Sequence, residues 1–217
     1  MKQLIGLCLK NNIHFVYAIS PGLDITYHSQ PDNNALFNKC AQIVSLGVTH
    51  FAILFDDIEL KQLKEQDAKY FASYAQAQAH VSNNLLRGLK QKIGESFGRL
   101  FFCPTQYCAR MASPNVKESS YLIDLGDNLD KQVDIFWTVI KKKKKNFNPL
   151  PCTKTKIELK GPEIISTHIS ADSLIELSKA LKRKPTIWDN FFANDYDMRR
   201  VYMGPYDQES RPFGRKH

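Results

Sequence analysis

Short, almost continuously apolar runs recur along the chain, and each is followed by a stretch with helical spacing. The first four runs are rich in β-branched and aromatic residues, as expected of strands that are covered on both faces. On this pattern we predict five strands, at residues 14–19, 51–55, 99–103, 133–137 and 185–188.

Helical patterns lie between the apolar runs. Apolar residues on one stripe predict a helix over 36–44, with Gly47 as its C-terminal cap. The same spacing predicts one long helix over residues 67–93. A third helix is expected to begin at Ser170 or Asp172 and to end in a basic last turn.

The alternation of strands and helices implies parallel strands joined by crossover helices. Polar residues follow nearly every predicted strand, and five strands that contribute to one rim are typical of a (β/α) barrel. These residues are Ser20, Asp56, Asp57, Thr105, Gln106, Tyr107, Thr138, Asp189 and Asn190. A doubly wound sheet would concentrate its ligand contacts at one switch point, and no Gly-rich phosphate loop supports that alternative.

The length of the chain limits how much of a barrel it can form. A complete eight-stranded barrel needs roughly 250 residues, and this chain has 217 residues and five predicted strands. We therefore expect an α/β fold that is either an incomplete barrel or a smaller, open sheet. The apolar content of 43% is ordinary for a globular protein, so one sizeable domain with a core is expected.

The positive charge is concentrated in one segment. Residues 139–160 hold eight lysines and one glutamate, which leaves +1 of the net +8 for the rest of the chain. Because a nucleic-acid groove needs basic residues spread through the fold, we do not expect nucleic-acid binding. The segment has no amphipathic period, and we interpret it as an insertion, either a solvated surface loop or a translated short intron.

Neither a membrane span nor a disulfide framework is expected. No stretch approaches the ~20 apolar residues of a membrane helix, and residues 1–10 resemble a signal peptide only faintly. The cysteines are odd in number and lack paired metal spacing, which indicates reduced thiols in a cytosolic or nuclear protein. They are Cys8, Cys40, Cys103, Cys108 and Cys152.

Two adjacent carboxylates, Asp56 and Asp57, end the second apolar run. Two carboxylates in one cleft can be driven to different pKa values and then supply an acid and a base. Adjacent strand residues face opposite sides, so the two side chains converge only if the strand ends there. The alternatives are a helix N-cap with a solvated acid and, less favoured, a two-carboxylate metal site without further ligands at supporting spacing.

Four motifs taken together closely resemble the catalytic domain of the O-GlcNAcases, glycoside hydrolase family 84, also described as hyaluronidase-like. The resemblance covers nearly the whole chain except residues 139–160. The motifs are VYAISPGLDIT at 16–26, FAILFDDI at 51–58, FCPTQYC at 102–108 and IWDNFFANDYD at 187–197.

The resemblance implies a (β/α)8 TIM barrel that is incomplete here, with about strands 3 to 7 present. Residues 1–217 would be a partial catalytic barrel, and residues 139–160 a Lys-rich insertion within it. The implied activity is removal of β-linked N-acetylglucosamine from Ser and Thr of nuclear and cytoplasmic proteins, without a cofactor or metal.

The implied mechanism retains the anomeric configuration but uses no enzyme nucleophile. The 2-acetamido oxygen of the substrate attacks the anomeric carbon and forms an oxazoline, a recognised exception to the two-carboxylate scheme. By the resemblance, Asp56 orients and polarises the acetamido N–H, and Asp57 is the general acid and then the base that activates water. One carboxylate must then stay ionised while the other holds a proton.

The resemblance also implies residues that bind the sugar. Tyr107 would lie beside the acetamido pocket, and Trp188 would form an apolar wall for the N-acetyl methyl. Asn190 would contact the substrate through its amide, and Asp195 would accept hydrogen bonds from the 4- and 6-hydroxyls, with Tyr196 nearby. Judged alone, Trp188 could equally be a core aromatic, and Asn190 and Asp195 turn formers or helix caps.

The chain also departs from that family. Strands that carry a substrate loop, a Lys and an Asn would precede Met1 or follow His217, so we expect the isolated chain to have open sheet edges and to fold poorly. The alternative to an enzyme is an inactive remnant that at most binds GlcNAc-modified proteins. The oligomeric state is not predicted.

Overall fold

The computed structural model describes residues 1–56, 58, 63–138 and 171–188. Within these residues five strands form one sheet, every adjacent pair is parallel, and their spatial order follows the chain without a reversal. The five predicted strands are therefore confirmed, with ends that differ by up to two residues. They are β1 Val16–Ile19, β2 His50–Leu54, β3 Leu100–Cys103, β4 Val133–Trp137 and β5 Thr186–Ile187.

Helices connect consecutive strands and form a layer on the sheet. In this layer α2 contacts α4, α4 contacts α5, and α5 contacts α6. The order of helices therefore repeats the order of strands, and the described part of the chain has no switch point of the doubly wound kind. The helices are α1 Lys2–Lys10, α2 Gln30–Val44, α3 Glu65–Ala68, α4 Tyr74–Ile93, α5 Ser120–Asn128 and α6 Ala171–Leu181.

The core lies between the helix layer and one face of the sheet. Ile53, Phe102 and Ile135 are fully buried there against apolar residues of the helices. Alternate strand positions point to the other face, where Phe101 and Phe136 are half-buried and stack with ring centroids 4.9 Å apart. Strands covered on both faces were expected. Of these residues, those on the helix side are fully buried, whereas those on the other face are only half-buried.

The predicted helix over 67–93 is confirmed from Tyr74 to Ile93, but its predicted start is wrong. A short helix ends at Ala68, and α4 begins at Tyr74, where the Ser73 hydroxyl caps it by accepting from the Gln76 N–H. Asp67 is buried and binds His28, 39 residues earlier in the chain. This tertiary contact overrides the helical periodicity.

Two short helices were not predicted. Helix α1 buries only Ile5, so its apolar stripe is too narrow to recognise. Helix α5 begins after Ser119, which accepts from the Leu122 N–H. The predicted cap at Gly47 is also wrong: α2 ends at Val44, and Gly47 takes its positive φ of 92° in the turn beyond.

Several other predictions can be compared with the described residues. Among the described residues, none of Cys8, Cys40, Cys103 and Cys108 takes part in a disulfide. None of the helices in the described ranges is both long and apolar enough to cross a bilayer. Cys152, Ser170 and the Lys-rich segment 139–160 lie outside the described residues.

Candidate functional site

Asp56 lies directly beyond the carboxyl end of β2. The strand ends at Leu54, and the Phe55 N–H continues the ladder for one more bond, to the Cys103 carbonyl at 2.9 Å. Asp56 follows in a turn and is half-buried. The strand therefore ends before the aspartate pair, which was the condition for convergence of the two carboxylates.

The loop after β3 runs beside that turn. Thr105 and Gln106 are buried, and Tyr107 is half-buried. The Thr105 hydroxyl donates to the Phe55 carbonyl at 2.8 Å. Because this carbonyl belongs to the peptide group that leads into Asp56, the loop that carries Tyr107 is tied to the candidate catalytic turn.

A second threonine ties Tyr107 to the next strand. The Tyr107 carbonyl accepts from the Thr138 N–H at 2.8 Å and from the Thr138 hydroxyl at 3.3 Å. Thr138 is buried and directly follows β4. The carboxyl ends of β2, β3 and β4 are thus joined by hydrogen bonds beyond the regular sheet.

Trp188 follows β5 at the same edge of the sheet. Its N–H donates to the Trp137 carbonyl at 3.0 Å. The residue is 36% exposed, and its ring meets Phe136 edge-on, with centroids 4.9 Å apart. Since Phe136 also stacks on Phe101, three aromatic rings form a row that leads to the rim, and Trp188 is not a buried core residue.

A buried polar cluster lies beneath the rim. Gln78 of α4 and Tyr121 of α5 bond to each other and to Thr105. Burial raises the pKa of Tyr121 above its ordinary value. Burial also raises the pKa of Tyr27 to about 12, and a hydrogen bond with Gln78 partly offsets this effect.

Sequence reasoning did not find this cluster. Gln78 lies among the buried, mostly apolar residues of α4, and a polar residue at such a core position is the signal that could have revealed the cluster. Tyr121 lies in a helix that was not predicted, so no pattern pointed to it.

The loop after β1 is fastened to the segment after β2. Asp67 is fully buried, and one of its oxygens binds the His28 ring at 2.7 Å and the His28 N–H at 3.0 Å. The His28 ring stacks on Tyr70, with centroids 4.4 Å apart. Lys64 binds the Ile25 carbonyl at 2.9 Å. These contacts give one of the six histidines a structural role that the sequence did not indicate.

The structure describes three of the seven predicted site residues. Asp56, Tyr107 and Trp188 lie at the carboxyl ends of β2, β3 and β5. Across the described ranges, no three His, Cys, Asp or Glu side chains are grouped so that they could hold a metal ion. The remaining predicted residues lie outside the described residues; they are Asp57, Asn190, Asp195 and Tyr196.

Comparisons with known proteins bear on this site. A family model described as beta-N-acetylglucosaminidase matches residues 1–146 and 140–214. Protein O-GlcNAcase of Mus musculus is 37% identical over 210 residues, and that of Rattus norvegicus is 36% identical over the same length. Each alignment covers 97% of this chain and 20% of the relative, so the chain spans about a fifth of the length of these curated proteins.

A solved structure is also similar. It is a mutant of Thermobaculum terrenum O-GlcNAc hydrolase, with a TM-score of 0.75 and 31% sequence identity. The match covers 95% of this chain and 38% of that chain.

Proposed function

This chain belongs to the beta-N-acetylglucosaminidase family, and from that membership we propose that its rim hydrolyses β-linked N-acetylglucosamine from Ser and Thr of proteins. The family match confirms the resemblance of the four sequence motifs. The observation that carries the proposal is the position of Asp56: it lies where a buried parallel strand leaves the sheet, beside the loop of Tyr107.

We propose that the five strands are about strands 3 to 7 of a (β/α)8 barrel. The unreversed strand order and the matching order of helices support this arrangement. The row of Phe101, Phe136 and Trp188 would then line the barrel interior. Residues 139–160 would be an insertion, and the two family matches meet inside that segment.

In the proposed first step, the acetamido oxygen of the substrate attacks the anomeric carbon while the glycosidic C–O bond breaks. Asp57 donates its proton to the departing Ser or Thr oxygen. The carboxylate of Asp56 accepts the acetamido N–H and stabilises the positive charge that develops on the oxazoline ring. In the second step Asp57 removes a proton from water, which adds to the anomeric carbon and reopens the ring.

The other proposed roles concern substrate binding. Trp188 offers its exposed ring as the apolar wall for the N-acetyl methyl. The edge-on contact of this ring with Phe136 supports its orientation at the rim. Tyr107 supports the attacking oxygen from a loop that is held at both ends. Asn190, Asp195 and Tyr196 bind the sugar amide and hydroxyls.

The proposed substrates are O-GlcNAc-modified proteins of the cytoplasm and nucleus. The names of the mouse and rat relatives support this substrate class. The four described cysteines are not disulfide-bonded, which supports a reducing compartment.

The test is hydrolysis of an aryl N-acetyl-β-glucosaminide. It uses this chain, and a chimera in which residues 1–217 replace the matching segment of mouse O-GlcNAcase. We expect Asp57→Asn to lower the rate by about 10²- to 10⁴-fold and Asp56→Asn by about 10²- to 10³-fold. The matched control, Asp124→Asn, changes a carboxylate of α5 in the helix layer and should leave the rate unchanged.

The outcomes separate the alternatives. An unchanged rate of hydrolysis in Asp57→Asn would rule out Asp57 as the general acid and base. Binding of N-acetylglucosamine without hydrolysis in either protein would favour the inactive, sugar-binding alternative.

A further inference from the structure

The peptide group that leads into Asp56 is held by a side-chain hydroxyl where a regular parallel sheet would use a backbone N–H. In a regular parallel ladder, the Phe55 N–H would donate to the Cys103 carbonyl, and the Phe55 carbonyl would accept from the N–H of residue 105. Here the Phe55 N–H does bind the Cys103 carbonyl. The Thr105 N–H, however, donates to the Tyr121 hydroxyl at 3.0 Å, and the Thr105 hydroxyl takes its place at the Phe55 carbonyl.

The Thr105 hydroxyl is oriented by a closed ring of hydrogen bonds. The Gln78 amide nitrogen donates to this hydroxyl at 3.0 Å. The Gln78 amide oxygen accepts from the Tyr121 hydroxyl at 2.5 Å, and the Tyr121 hydroxyl in turn accepts the Thr105 N–H. Because a hydroxyl has one proton, the Thr105 hydroxyl proton is directed out of the ring, to the Phe55 carbonyl.

All three side chains of this ring lie deep in the protein. Gln78 is 0% exposed, Tyr121 6% and Thr105 7%. Buried polar groups are costly unless they are fully bonded, and a fully bonded network is rigid. An apolar trio could fill the same volume, so the ring contributes a fixed geometry that apolar packing would not supply.

We infer that Gln78, Thr105 and Tyr121, here called the clamp, are positioning residues that hold the Asp56 turn and the Tyr107 loop in a fixed relation. The inference rests on the proposed function. Thr105 bonds to the peptide before Asp56 and lies two residues before Tyr107. A displacement of about 1 Å in a catalytic constellation can cost roughly 100-fold in rate, so this relation matters to the proposed reaction.

The experiment removes the hydroxyl while keeping the volume. Thr105→Val deletes the bond to the Phe55 carbonyl, and Thr105→Ser keeps it as the conservative variant. Ser82→Ala is the matched control, since Ser82 is buried on α4 and its hydroxyl donates to the Gln78 backbone carbonyl of the same helix. Two quantities are measured: the amide resonances of Asp56 and Tyr107 in a ¹⁵N-labelled chain, and kcat and KM for the aryl N-acetyl-β-glucosaminide.

We expect Thr105→Val to move both amide resonances and to lower kcat about 10- to 100-fold with KM nearly unchanged. Thr105→Ser should restore both quantities, and Ser82→Ala should alter neither. If Thr105→Val fails to fold, Tyr121→Phe, which opens the ring but keeps the Thr105 hydroxyl, is read in the same way.

Two results would overturn the inference: resonances of Asp56 and Tyr107 that stay in place in Thr105→Val, or a kcat that falls equally in Ser82→Ala. If neither the parent chain nor the mouse chimera hydrolyses the substrate, the proposed function fails, and the amide resonances alone decide whether the clamp positions the turn and the loop.

Discussion

A close backbone approach between α5 and α6 offers a sharp test of the packing. A Cβ atom built on Gly126 of α5 would lie 2.3 Å from the Ala180 carbonyl oxygen and 2.9 Å from the Leu181 Cα of α6. Ordinary contacts are 3.4–4 Å. Gly126→Ala therefore forces the backbone of α6 to move away by about 1 Å.

The magnitude follows from two opposing terms. Overpacking costs about 1–3 kcal/mol of the free energy of unfolding, and replacing a helical Gly by Ala contributes about 0.8–1 kcal/mol. Gly6 of α1 is the matched control, because no atom lies within 4 Å of its added Cβ. Both variants gain the stabilisation of replacing a helical Gly by Ala. The difference between their free energies of unfolding therefore measures the cost of the contact between α5 and α6.

Thermal and urea denaturation measure this difference. For a chain of this size about 2–4 °C of Tm corresponds to 1 kcal/mol, so Gly126→Ala should melt roughly 2–12 °C below Gly6→Ala. Helix α6 precedes β5 and Trp188, so the same variant should also disturb the Trp188 ring. Equal melting temperatures of the two variants would refute the close packing of α5 on α6.

Three further outcomes are expected. The pKa of His50 is lowered from 6.5 by burial, by His14 and by Arg99, so the unfolded chain binds this proton more readily than the folded chain. The free energy of unfolding should therefore fall as pH drops below about 6.5. Urea titrations across this pH range should show a shallower fall for His50→Asn. Cys40 is fully buried and its pKa is raised to about 12, so iodoacetamide at pH 8 should label it only after unfolding; labelling at the rate of an exposed thiol would contradict its burial. The Arg183 guanidinium donates to the carbonyls of residues 129, 130 and 133, so Arg183→Lys should lose about 1.5–3 kcal/mol by urea denaturation, whereas Lys184→Arg should lose nothing.

The strands could be predicted because their signal is local. A run of apolar residues that ends in polar residues marks a buried parallel strand wherever it occurs, and the same rule placed Asp56 and Tyr107 at one edge of the sheet. The break before α4 could not be predicted in this way. It depends on the bond between Asp67 and His28, which are 39 residues apart.

The connections within the site were equally hidden. Thr105 binds a carbonyl 50 residues away, and Gln78 binds Tyr121 across 43 residues. Arg183 follows α6 and donates to the carbonyl of its last residue, Leu181, at 3.2 Å, as the basic last turn predicts. It also donates to the carbonyls of residues 129, 130 and 133, which the sequence did not indicate. Residue type indicates that a side chain can donate, whereas the fold alone decides which acceptor it meets.

The central claim is that the 2-acetamido group of the substrate is the nucleophile at the Asp56 rim. The most direct test compares hydrolysis of an aryl N-acetyl-β-glucosaminide with that of the aryl β-glucoside, which lacks this group, using the chain and the mouse chimera. We predict cleavage of the acetamido substrate and none of the plain glucoside. Equal cleavage of the two substrates, or cleavage of neither by both proteins, would contradict the account.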